Sequence, residues 1–157
     1  MFVNRMASSK SSSTDPSTNQ AGAAERPIQI LLVDADPAYL VPNRQRLEQE
    51  GYEVYTATDG PSALALATRL GPDLIVLAMV LPGMDGMATL KGLRAQEQTR
   101  MTPVIVLSSN TERRLVEGSR ELGVVDYLSK RSKSDDPATL SAAVSAWLRS
   151  RRVPPPA

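Results

Sequence analysis

Three short apolar runs punctuate the middle of the chain, and helical spacing recurs between its candidate strands. Ile28 to Val33 is apolar apart from Gln29, while Leu74 to Leu77 and Val104 to Leu107 are unbroken and follow Gly71-Pro72 and Thr102-Pro103. Runs of this length without polar alternation suit strands buried on both faces of a parallel sheet. Glu53 to Thr58 and Val124 to Ser129 supply the other two strands. Pro61 stands where a first helical turn tolerates proline, and Ala63, Leu66, Ala67 and Leu70 share one face behind it. Ser109 and Glu112 have capping-box spacing ahead of another helix. Leu140, Ala143, Val144, Trp147 and Leu148 form the clearest amphipathic stripe, in the last helix. The first helix is the weakest: Pro42 lies inside it and should kink or delay it, and polar Asn43 and Arg44 stand where a core face would continue.

Alternating strand and helix implies right-handed crossovers and a doubly wound α/β fold. In such sheets the functional groups gather beyond the carboxyl ends of the strands. Residues 1–26 are rich in Ser, Thr, Ala and Asn, with too little apolar surface to offset ordering entropy, and are expected to be a disordered tail. The folded domain is expected over residues 27–150. The basic, proline-rich residues 151–157 read as a helix end and stop, not a docking motif.

The 157 residues contain no cysteine and no histidine, which excludes a disulfide frame, thiolate metal sites and imidazole chemistry. Any site must rest on carboxylates, lysine and hydroxyls. A formal charge of +1 argues against a nucleic-acid footprint over the whole domain, and Arg113-Arg114 and the basic tail read as a solvated face. There is no run long enough to span a bilayer and no signal-peptide core, so the expected location is cytoplasmic, with no membrane partner.

The strand ends carry the chemistry. "ILLVDADP", "PDLIVLAMVLPGMDG", "TPVIVLSS" and "DYLSK" occur in that order on successive predicted strands. Together they resemble the signature segments of the response-regulator receiver (CheY-like) domain of two-component systems, over about residues 27–150. The resemblance implies a flavodoxin-like five-stranded parallel sheet with strand order 2-1-3-4-5. It also implies a pocket built from two adjacent acids after the first strand, a phosphoacceptor aspartate ending the third, Ser or Thr ending the fourth and Lys ending the fifth. In ordinary receivers magnesium joins the second acid, the acceptor and a backbone carbonyl two residues on. Metal and lysine there neutralise the oxygens that accumulate on the phosphoryl group.

Asp34, Ser108 and Lys130 match that pattern, whereas Ala35 stands at the second acid and Ala78 at the phosphoacceptor. The degenerate pocket is therefore Asp34, Ala35, Asp36, Ala78 and Lys130, with no catalytic residue. Ser108 and Tyr127 match the family's switch pair. Asp34, Asp36 and the Val80 carbonyl are the weak cation candidates that remain, too few for tight magnesium binding. No cofactor is expected. Simpler readings stand beside these. Asp34 could cap the helix after Pro37, Ser108 could bond the next turn, Tyr127 could merely pack, and Pro82 to Gly86 could be a plain loop and helix start. Lys130 is expected against Asp34, and the Lys130–Arg131 peptide is expected to be trans because proline is absent after the lysine.

The favoured function is a phosphorylation-independent receiver, not an enzyme, that binds proteins. By resemblance the partner face is the fourth helix, fifth strand and fifth helix. The occupant is a histidine kinase, another regulator, an output protein or a second copy of the chain. Two alternatives remain open. One is a receiver phosphorylated on a substitute acid, Asp34 or Asp36. The other is a phosphatase of the haloacid dehalogenase type, which Asp34-Ala35-Asp36 resembles, with Asp135-Asp136 imitating its later acids. That fit fails because those acids follow Lys130 too soon and precede a helix.

Overall fold

The computed structural model of the chain describes residues 26–108, 113–129 and 136–152. Strands and helices alternate throughout: β1 (Gln29–Val33), α1 (Pro37–Gln49), β2 (Glu53–Ala57), α2 (Gly60–Leu70), β3 (Leu74–Ala78), α3 (Gly86–Ala95), β4 (Val104–Ser108), α4 (Arg113–Glu121), β5 (Asp126–Ser129) and α5 (Pro137–Arg152). All five strands are parallel, in the order β2-β1-β3-β4-β5. The fold is the doubly wound sheet that the alternating runs imply, in the order 2-1-3-4-5 that the resemblance implies.

The three central strands are covered on both faces, as their unbroken apolar runs require. Leu31, Val33, Ile75, Leu77, Val104 and Val106 face α2 and α3, where Ala63, Ala67, Leu90 and Leu93 meet them. Ile30, Leu32, Leu74, Val76, Ile105 and Leu107 face α1 and α5, where Leu40, Leu47, Leu140, Val144 and Trp147 close the second core. The α5 stripe thus lies where its spacing places it, with Ala143 and Leu148 packed at its margin. On α2, Ala63 and Ala67 are buried, while Leu66 and Leu70 are only partly covered.

Two expectations for α1 need correction. Pro42 does not delay the helix, which starts at Pro37 and runs through it to Gln49. Pro42 is the sixth helical residue, so it removes the one backbone bond that would return to the Ala38 carbonyl, and the helix continues across that loss. Asn43 is not an interruption of the core face but part of it. It is 2% exposed, and its amide donates to the Tyr39 carbonyl at 2.8 Å, which satisfies the buried polar group locally.

Asp residues start the helices. Asp36, Asp59 and Asp85 cap α1, α2 and α3 by accepting from Ala38, Ser62 and Ala88. Asp136 accepts from Ala138 at the start of α5. The expected Ser109–Glu112 capping box lies outside the described residues.

Candidate functional site

The carboxyl ends of β1, β3 and β4 meet at one level. Val33 pairs with Leu77 and Ala78 with Leu107, so Asp34 and Ala78 follow one another across adjacent strands, with Ser108 beyond them on β4. Asp34 is 2% exposed, Ala78 3% and Ser108 3%. Three of the residues expected at the pocket are therefore brought together at the floor of the carboxyl-end face. Ala35 and Asp36 are exposed at its rim. Lys130 and residues 131–135 lie outside the described residues, and with them the expected Lys130–Asp34 contact, the Lys130–Arg131 peptide and Asp135.

The turn after β1 is built by its two acids. The Asp34 amide donates to the Ala57 carbonyl at 3.1 Å, extending the pairing with β2 by one residue. The Asp34 carboxylate accepts from the Asp36 amide at 2.9 Å. Asp36 then caps α1 through the Ala38 amide at 3.0 Å. The helix cap is thus Asp36 and not Asp34, because the cap must directly precede the first helical residue, Pro37.

The β3 end is fixed from the other side. The Met79 amide donates to Leu107, and the Gly86 amide donates to Met79 at 2.9 Å. A Cβ at Gly86 would stand 2.3 Å from the Ala78 carbonyl oxygen and 2.4 Å from the Met79 Cα, so only glycine lets α3 begin here. The segment Pro82 to Gly86 is a loop and helix start, as the simpler reading has it, and Gly86 sets how close α3 comes to the site. Its signal in the sequence was the Asp85-Gly86 pair at a helix start. Val80, whose carbonyl was a cation candidate, is 70% exposed at the rim. Tyr127 is partly buried on β5 and packs with the α2–α3 core.

The chemical repertoire of this face is narrow. The β3 end presents a methyl group at Ala78, and Ala35 brings another at the rim. Among the described residues no group of three or more acidic side chains could hold a metal ion. A cleft of about 460 Å³ lies at the opposite pole, beside the starts of β3 and β4, lined in part by Asp73, Met101, Trp147 and Arg151. Arg151 stacks over the Trp147 ring there at 5.0 Å. No helix among the described residues is long and apolar enough to cross a membrane.

The response regulator receiver domain profile matches residues 30–144. The chain belongs to that family. This receiver is 37% identical over 127 residues to the alkaline phosphatase synthesis transcriptional regulatory protein PhoP of Bacillus subtilis, covering 81% of this chain and 51% of that protein. It is 31% identical over 107 residues to sporulation initiation phosphotransferase F of the same organism, covering 68% of this chain and 85% of that protein. Among solved structures, the receiver superposes on chemotaxis protein CheY4 of Vibrio cholerae with a TM-score of 0.70 at 29% identity, over 76% of this chain and 98% of that one. It superposes on the receiver domain of sensor histidine kinase PA1611 of Pseudomonas aeruginosa with a TM-score of 0.67 at 31% identity, over 77% and 97%. The receiver spans about half the length of PhoP and 22% of the response regulator PleD of Caulobacter vibrioides.

Proposed function

We propose that this receiver signals by binding proteins and not by accepting a phosphoryl group. The observation that carries the reading is Ala78 at the end of β3, buried beside Asp34 at the position where the family resemblance puts the phosphoacceptor. A methyl group offers no oxygen to attack phosphorus. Ala35 adds a second loss at the position of the metal-binding acid. The PA1611 receiver is described with a magnesium ion coordinated in its active-site cleft. The donor set here does not fit that ion. Ala35 and Ala78 take two side-chain oxygens away from these strand ends, and magnesium requires near-octahedral oxygen coordination anchored by carboxylates.

What remains is a signalling module of the two-component type, without turnover, whose fold takes in Arg26, paired with Asp73, and runs to Arg152 at the end of α5, one or two residues beyond the expected bounds of 27–150. The face formed by α4, β5 and α5 is the docking surface, and Val125, 49% exposed, is its apolar edge. A histidine kinase, another regulator, an output protein or a second copy is the partner. A receiver has two arrangements of its switch residues, and a partner that prefers one selects it without a covalent mark.

The test is an amide NMR titration with magnesium and fluoroberyllate, run on the native chain and on the double variant Ala35→Asp/Ala78→Asp. The reading predicts no shifts at the ends of β1, β3 and β4 in the native chain and clear shifts in the variant. Shifts in the native chain would favour a substitute acid, Asp34 or Asp36.

A further inference from the structure

Arg94, in the last turn of α3, directs its guanidinium into backbone. Nε donates to the Leu122 carbonyl at 2.7 Å, Nη1 to those of Thr99 at 3.1 Å and Thr102 at 2.8 Å, and Nη2 to that of Gly123 at 3.5 Å. The four acceptors belong to two separate loops, the one from α3 to β4 and the one from α4 to β5. Each loop closes its own backbone bonds. Thr99 donates to Gln96 and Thr102 to Thr99 in the first; Gly123 donates to Arg120 and Val124 to Ser119 in the second. Arg94 is the bridge between them. No acidic side chain among the described residues forms an ion pair with it, and burial pushes its guanidinium below the ordinary arginine value.

Other contacts hold each loop as well: the α4–β5 loop packs Leu122 and Val124 on the α2–α3 core and ends where the Val125 amide donates to the Val104 carbonyl at 2.8 Å. Thr99 is fully buried and its hydroxyl donates to the Leu93 carbonyl, so the α3–β4 loop is anchored to α3. The α4–β5 loop turns at Gly123, whose φ of +78° lies in the left-handed region that glycine adopts freely. A planar fork of donors can reach carbonyls on two loops at once, whereas a lysine ammonium cannot span the same set.

We propose that Arg94 is a positioning residue that latches the carboxyl end of α4 to the α3–β4 loop. With the latch closed, the two loops move as one body and fix that end of α4. With it open, the end of α4 is released at Gly123 while the sheet stays intact. The inference rests on the fold and stands whether or not this receiver accepts a phosphoryl group.

Native-state hydrogen exchange on the full chain tests it, with NMR readout. In the unaltered protein the amides of Thr102, Gly123 and Val124 are expected to share one opening constant within about threefold, as one cooperative unit below global unfolding. Arg94→Lys is expected to raise that constant about tenfold or more, while Leu31 and Leu77 amides change only by the global stability loss measured by urea denaturation. Unrelated opening constants for the two loops in the unaltered protein would overturn the latch. So would equal acceleration of loops and sheet in Arg94→Lys, or none. If Arg94→Lys does not fold, the unaltered protein's constants decide.

Discussion

The carboxylate of Asp34 accepts from the amide of Asp36 at 2.9 Å, and the carboxylate of Asp36 accepts from Ala38 at 3.0 Å, so the two acids after β1 act in series on the backbone. One turns the chain out of the sheet and the next starts the helix. Asp34 performs this task while 2% exposed, and the bond it accepts from the exposed Asp36 is itself only partly buried.

Truncation of Asp34 should therefore cost stability whatever its signalling role. Asp34→Ala is expected to lose about 1.5–3 kcal/mol, the range for a hydrogen bond to a charged group. Asp34→Asn keeps an acceptor oxygen and should lose clearly less. Urea denaturation of both variants checks this, and equal losses would show that the charge matters and the turn bond does not.

Two glycines should respond in opposite ways to one methyl group. At Gly86 the new Cβ meets backbone at 2.3 Å and 2.4 Å, so Gly86→Ala must push α3 away from the β3 end, at a cost of about 2 kcal/mol or more. At Gly118, inside α4, the nearest atom is the flexible end of Met87 at 3.4 Å, so Gly118→Ala is expected to gain up to about 1 kcal/mol from helix propensity. Thermal denaturation of the pair settles the contrast; a stable Gly86→Ala would mean that α3 docks with more slack than this.

The sheet was legible because its central strands are unbroken apolar runs, and parallel strands buried on both faces leave that mark. The start of α2 was legible for a similar reason, since Pro61 marks a first helical turn ahead of a helical pattern. Asn43 was misread because periodicity counts it as polar, whereas its amide is satisfied within its own helix by Tyr39. Gly86 showed only as the Asp85-Gly86 pair at a helix start. Arg94 left no pattern, because its partners are backbone carbonyls of two loops and backbone carries no residue signature. Of the candidate pocket, the segments around Asp34, Ala78 and Ser108 pointed to one face, and strand register is what brings them to one level.

Asp73 should make acid stability depend on Arg26. Burial works to raise its carboxyl, but hydrogen bonds from Arg26 and the Gln29 amide, with the charges of Arg26 and Arg151, outweigh it and hold the group below its ordinary value. A depressed carboxylate stabilises the fold above the unfolded value, near pH 4, and that contribution fades as pH falls through the lower folded value. The native protein's advantage over Asp73→Asn is expected to be about 1 kcal/mol or less at pH 7, because Arg26 is largely exposed, and to shrink toward pH 3. Urea midpoints at both pH values test the sign, and an advantage that grows on acidification would contradict it.

The central claim, that signalling here needs no phosphoryl transfer, is tested most directly by intact-mass spectrometry of the native chain after incubation with acetyl phosphate and magnesium. The account predicts an unchanged mass, with Ala35→Asp/Ala78→Asp as the comparison that gains one phosphoryl group. A gain of one phosphoryl group by the native chain, mapped by peptide analysis to Asp34 or Asp36, would contradict it.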